Sequence, residues 1–103
     1  MRLEHYSAQT LKKQLLTICD QYLRKVPYTL FFFGSRVSGK GDEHSDIDVG
    51  IEAAKKIPLE ILSKIKEDVE GLPILYKIEI VDFKSVSPEF RRVASTSLEI
   101  IHE

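Results

Sequence analysis

Two aspartates, Asp46 and Asp48, lead the stretch SDIDVGI, in which Ile47, Val49 and Ile51 take the alternate positions. Aspartate is disfavoured inside strands, so a pair of them on an alternating apolar segment needs a chemical reason. In extended backbone both carboxylates fall on one face, with Cα atoms roughly 7 Å apart. Like charges so placed repel unless they are protonated or bridged by a cation. A pair of hard divalent ions, shared between carboxylates and phosphate oxygens, resolves the conflict. Gly34-Ser35 supplies the phosphate half, because it abruptly ends the apolar run Tyr28 to Phe33. Glycine permits close backbone approach, and freed amides beside a hydroxyl can cradle phosphate oxygens. Each signal alone is common and also fits a solvated polar connection. In this order, each tied to an apolar strand, they point to metal-dependent phosphoryl chemistry.

Those residues need strands to carry them and helices to cover the strands. Residues 8–25 read as an amphipathic helix, with Leu11, Leu15, Ile18 and Tyr22 at helical spacing, Ser7 as cap and Pro27 as stop. Lys12, Lys13, Arg24 and Lys25 read as its solvated face. The unbroken apolar run 28–33 predicts a strand buried on both sides, with helices over both sheet faces. Ile57, Ile61, Ile65 and Val69 predict a second helix with Pro58 as its first residue and Gly71 at its end. A third strand is expected from Ile74 to Phe83. There Tyr76, Ile78 and Ile80 point one way, while Lys77, Glu79 and Val81 point the other. Glu79 in mid-strand repeats the anomaly of Asp46 and Asp48, which makes it the third candidate carboxylate if this strand neighbours the second. Asp82 faces the opposite side and reads as structural. Ser87-Pro88 opens a short last helix carrying Phe90, Val93 and Ala94. Leu98, Ile100 and Ile101 close the chain as an edge strand or docked tail.

The polar connection Val37–Ser45 follows Arg36, whose fixed charge beside Ser35 suits triphosphate or acceptor recognition. His44, Asp42 and Glu43 read as solvated loop residues. Arg91 and Arg92 read as exposed, without a role.

GSRVSG followed by SDIDVGI resembles the minimal nucleotidyltransferase (MNT) domains of the DNA polymerase β-like superfamily. The later IEIVDF and SPEFRR stretches fall where that family has its last core strand and helix. The resemblance implies an α/β (α+β) palm-like fold, with a mixed, mostly antiparallel sheet flanked by helices. It implies ATP as substrate and two Mg²⁺ ions on Asp46 and Asp48, with Glu79 as base or ligand of the catalytic metal. Gly34 and Ser35 would hold the β- and γ-phosphates, with Arg36 and Ser45 also among the nucleotide-binding candidates. Two positions depart from the family pattern: Glu79 stands where aspartate is usual, and Ser38 where a second arginine is frequent, with Lys40 nearby. Small members of this family commonly serve as antitoxins of MNT–HEPN pairs, transferring AMP from ATP to a tyrosine of the HEPN toxin.

Composition narrows the alternatives. The 103 residues are expected to form one domain with nothing left over for an acceptor-binding module, so the acceptor surface must come from another molecule. Fifteen basic and sixteen acidic residues give a net charge of −1, which argues against direct nucleic-acid binding. The single cysteine, Cys19, lies on an apolar helical stripe, reads as core, and fits a reducing cytoplasm. No stretch reads as a membrane span or signal peptide. The competing readings are an antitoxin that occludes a HEPN toxin sterically, with a weakened nucleotide site, and a transferase acting on a small molecule such as an aminoglycoside. A homodimer or hetero-oligomer is compatible with either.

Overall fold

The computed structural model of the protein describes residues 1–103. In order, the chain forms α1 (Ala8–Leu23), β1 (Tyr28–Phe33), α2 (Ser35–Ser38), β2 (Ile47–Ala53), α3 (Leu59–Glu70), β3 (Ile78–Asp82), α4 (Pro88–Ala94) and β4 (Glu99–His102). The four strands make one sheet in the order β3-β2-β1-β4. β1 runs antiparallel to both β2 and β4, whereas β2 and β3, joined through α3, run parallel. This is the mixed, mostly antiparallel sheet that the family resemblance implies. No helix is long and apolar enough to cross a membrane.

Local chemistry sets most boundaries. Ser7 Oγ accepts the Thr10 amide proton at 3.1 Å and starts α1. Ser87 Oγ does the same for Phe90 at 3.1 Å, with Pro88 as the first residue of α4. Pro58 stands one place earlier than expected. Its ψ of 139° is extended, so it flanks α3 and its carbonyl accepts from Ile61 and Leu62, both at 3.0 Å. Two further corrections concern the connections. The expected loop after Ser35 begins with the single helical turn α2, closed by Gly39 at φ 83°. The third strand covers only Ile78–Asp82, because a turn that bonds the Ile74 amide to Leu72 O at 2.8 Å occupies the chain just before it.

The main core lies on one face of the sheet. Leu30, Phe32, Val49, Ile51 and Ile80 pack there against Leu11, Leu15 and Ile18 of α1 and Ile65 and Val69 of α3. Cys19 is fully buried in this layer, and burial pushes its thiol up to about 12, so it stays protonated and inert. The other face carries a smaller aromatic cluster. Phe31 and Phe33 meet Phe83 edge-on at 4.7 and 5.1 Å, and Phe90 of α4 adds a third edge to Phe33 at 6.0 Å. Gly50 makes this possible. A Cβ there would run into the Phe31 ring and lie 2.9 Å from Phe83 Cε1. β1 is thus covered on both faces, as its unbroken apolar run requires.

Arg91, expected to be exposed without a role, instead fastens α4 to the sheet. Its guanidinium donates to Phe83 O at 3.0 Å and pairs with Glu52 of β2. Lys84 Nζ approaches the same carboxylate at 3.5 Å. The Arg91 hydrogen bond, ahead of its charge and that of Lys84, holds the Glu52 carboxyl below its usual range. A carboxylate with a lowered folded pKa stabilises above its unfolded pKa, and that contribution is lost as pH falls through the folded value. Arg91→Ala should therefore reduce stability by about 1 kcal/mol, read by urea denaturation at neutral pH. The deficit relative to wild type should shrink as Glu52 becomes protonated. Faster amide exchange confined to α4 should accompany it, and unchanged exchange there would count against this clamp.

Candidate functional site

Asp48 of β2 and Glu79 of β3 are direct register partners, and Phe33 of β1 stands opposite Asp48 on the other side. Neighbouring register partners share a face, so both carboxylates project from the side of the sheet that carries the aromatic cluster. Asp46 lies one residue before β2, with its carboxylate 3.9 Å from Lys77 Nζ. The Asp48 carboxyl is held above its usual range, first by burial, then by the charge of Asp46, then by that of Glu79. No hydrogen bond offsets these effects. The three candidate carboxylates therefore share one electrostatic field. Asp82 belongs to the opposite face, as the alternation implies. It is 3% exposed, and it accepts from the Ile57 amide at 2.9 Å, the Lys84 amide at 3.0 Å and Ser85 Oγ at 3.2 Å. Those bonds tie β3 to the segment before α3 and engage both oxygens of the buried Asp82 carboxyl.

Gly34 joins β1 to α2 in a backbone conformation, φ 84° and ψ −162°, that is essentially restricted to glycine. A Cβ there would collide with Asp48 Oδ2. Glycine at this position thus lets the Asp48 carboxylate lie against the turn. The Val37 and Ser38 amides close α2 onto Gly34 O, both at 3.1 Å, whereas the first amides of a helical turn have no acceptor within it. The Lys40 and Gly41 amides fold back onto Ser35 O at 3.1 and 2.9 Å. Together these elements enclose a cleft of about 590 Å³. Gly34, Ser35, Ser38 and Lys40 line one end, Asp48 and Glu79 contribute carboxylates, and Phe90, Val93 and Ala94 of α4 give it an apolar wall.

Three candidates do not line the cleft: Asp46, whose carboxylate lies beside Lys77, and the pair Arg36 and Ser45. Arg36 donates from Nε to Ser45 O at 2.7 Å and from Nη2 to Glu43 O at 2.8 Å, and its guanidinium lies 4.8 Å from the centre of the Tyr76 ring. Ser45 Oγ accepts the Asp42 amide at 3.0 Å. Neither residue lines the cleft, and both hold the loop between α2 and β2 in shape. Ser38 and Lys40, noted in the sequence only as a departure and its neighbour, do line it. The flanking pair Gly39 and Gly41 was the available signal for Lys40, since glycines on both sides mark a chain that must turn sharply.

Three carboxylates in one field form an oxygen donor set suited to hard divalent cations. The free acceptor faces of Asp48 and Glu79, and the space that Gly34 leaves beside Asp48, fit such ions. The side chains are not gathered into a ready three-residue metal cluster, as expected of like charges that repel. The same repulsion has a consequence for stability. A carboxyl with a raised folded pKa binds its proton more tightly when folded, so stability falls as pH rises through the window above its ordinary value. Asp48→Asn should therefore raise the thermal midpoint of the metal-free protein at neutral pH by roughly a few degrees. The gain over wild type should shrink as pH is lowered through that window. A midpoint that falls or stays level would contradict the repulsion.

The geometry can be compared with known proteins. The family model described as "Polymerase beta, Nucleotidyltransferase" matches residues 13–103. The "Probable protein adenylyltransferase MntA" of Haemophilus influenzae is 28% identical over 95 residues, covering 90% of this chain and 83% of that protein. Among solved structures, one described as the toxin-antitoxin with AMP-PNP superposes with a TM-score of 0.70 at 18% identity, covering 87% of this chain and 71% of the other. Another, a tri-AMPylated Shewanella oneidensis HEPN toxin in complex with an MNT antitoxin, gives 0.60 at 19% identity, covering 90% and 71%. These structures share the fold. With the family model running from α1 through both carboxylate-bearing strands to β4, the chain belongs to the polymerase beta nucleotidyltransferase family.

Proposed function

We propose that this nucleotidyltransferase transfers AMP from ATP to a tyrosine hydroxyl of a HEPN-family partner, in the manner of an antitoxin that silences its toxin by modification. One observation carries the reading: Asp48 and Glu79 stand side by side in the β2–β3 register, within the field of Asp46 and against Gly34. The resemblance to an adenylyltransferase and to antitoxin chains supports the acceptor class. Asp46 and Asp48 would hold two Mg²⁺ ions. The chemistry supplied there is Lewis-acid: charge on the triphosphate is offset and the pKa of an attacking hydroxyl is lowered. Gly34 and Ser35 would let the phosphates approach the backbone closely, and Glu79 would accept the hydroxyl proton or complete the ligand set. The acceptor oxygen bonds to the α-phosphorus, the bond from that phosphorus to the bridging oxygen breaks, and pyrophosphate leaves. A reducing cytoplasm suits the buried Cys19 thiol.

A second reading, neutralisation of the partner by binding alone, is favoured by the commitment of Arg36 to loop carbonyls and by carboxylates that are not gathered for a metal. Intact-mass spectrometry of the chain co-expressed with its HEPN partner separates the two. The transferase reading expects the partner to gain mass in steps of one AMP, and expects Asp46→Asn and Asp48→Asn each to lose that gain. A partner that is neutralised yet unmodified would establish the binding reading instead.

A companion measurement tests the strand register. Glu79→Gln should abolish transfer while leaving ATP binding with Mg²⁺ largely intact. Asp82→Asn should retain transfer but lower stability by about 1–3 kcal/mol, since it disturbs buried hydrogen bonds. Loss of transfer in Asp82→Asn at full stability would move the catalytic carboxylate to the other face.

A further inference from the structure

The cleft is strongly acidic along its carboxylates, and a triphosphate brings more negative charge into it. On the α4 wall, Arg91 is committed to Phe83 O and Glu52, and Arg92 does not line the cleft. Three more cationic side chains lie on the other surrounding segments, and the structure distinguishes them. Arg36 has its Nε and Nη2 bonded to the carbonyls of Ser45 and Glu43, with its guanidinium over Tyr76. Turning it toward the cleft would break two charge-assisted hydrogen bonds and leave the loop unsupported. Lys77 lies outside the cleft, with its ammonium 3.9 Å from Asp46. Lys40 alone lines the cleft, beside Ser35 and Ser38.

The Lys40 backbone is anchored while its side chain is free. Its amide donates to Ser35 O at 3.1 Å, between Gly39 at φ 83° and Gly41, whose amide donates to the same oxygen at 2.9 Å. The Lys40 ammonium enters no ion pair, although Asp48 and Glu79 line the same cleft. Ser38 adds no charge, and its hydroxyl donates to Ser35 O at 3.2 Å. A lysine of this kind is a compact charge on a flexible stem, able to follow a phosphate that is not tightly fixed.

We propose that Lys40, and not Arg36, is the cation that binds the terminal phosphates of the nucleotide, with Arg36 serving to hold the loop that leads into Asp46 and Asp48. The proposal rests on the nucleotidyltransferase reading of the cleft. The β- and γ-phosphates are the parts of ATP that AMP lacks, so the preference for ATP over AMP measures this contact directly.

Calorimetric titration of the chain with ATP and with AMP, both in Mg²⁺, provides the test. Lys40→Ala should weaken ATP binding roughly tenfold or more and leave AMP binding unchanged, while Lys40→Arg should retain most of the ATP affinity. Lys40 is exposed, so its thermal midpoint should match wild type. A Lys40→Ala chain that keeps the wild-type preference for ATP would overturn the assignment and return the side chain to the solvent. Failure of the wild type to bind ATP at all would overturn the nucleotide reading itself, and with it this inference.

Discussion

Three carboxylates share one electrostatic field with no donor aimed at Asp48 to offset it, and much of the fold can be understood as what keeps them there. Parallel pairing of β2 with β3 sets Asp48 beside Glu79, and glycine at position 34 avoids a Cβ that would collide with Asp48. Left to themselves these charges would separate into solvent. They are held because the strands that carry them are also the strands of the core. Val49, Ile51 and Ile80 sit on the opposite face of the same strands, packed beneath α1 and α3. Moving the carboxylates apart would require moving that layer, in which close packing tolerates little displacement.

The two faces of the sheet thus have different work. The α1–α3 face supplies the bulk of the apolar burial. On the other face an aromatic cluster lies between the Asp48–Glu79 carboxylates and Glu52, with Gly50 placed so that Phe31 and Phe83 can close over the strand. Arg91 and Glu52 then fix α4 on this face. That ion pair lies on the same side of β2 as Asp48, four residues on, so one strand carries both the candidate metal ligand and the anchor for the cleft wall. Such an arrangement couples the shape of the cleft to the sheet and keeps it from depending on loop conformation alone.

The loop between α2 and β2 has a similar economy. Arg36 satisfies carbonyls at Glu43 and Ser45 and covers Tyr76 before β3, bridging segments that precede both carboxylate strands. Its position next to Ser35 in sequence suggested phosphate binding. In a one-turn helix, successive side chains diverge by about 100°, so neighbours along the chain face different directions, and of these two only Ser35 lines the cleft. Lys40, farther along the sequence, is returned to the cleft by the backbone that folds onto Ser35 O.

The sequence by itself determined the elements whose signals are local. The apolar run Tyr28–Phe33 and the alternation after Ile47 defined β1 and β2, Ser7 and Ser87 defined helix starts, and the placement of charge at Glu79 but not Asp82 followed from a period of two. Resemblance extended this to the family and the mixed sheet. Only the tertiary structure decided which distant groups meet. The Glu52–Arg91 clamp joins residues with no local pattern between them, and nothing in a run of loop residues says that Arg36 turns to carbonyls while Lys40 faces the cleft. The need for glycine at position 50 is likewise set by two phenylalanines from other segments. Periodicity reports how a side chain lies relative to its own element, whereas partners are chosen by packing among elements, and that information exists only once the chain has folded.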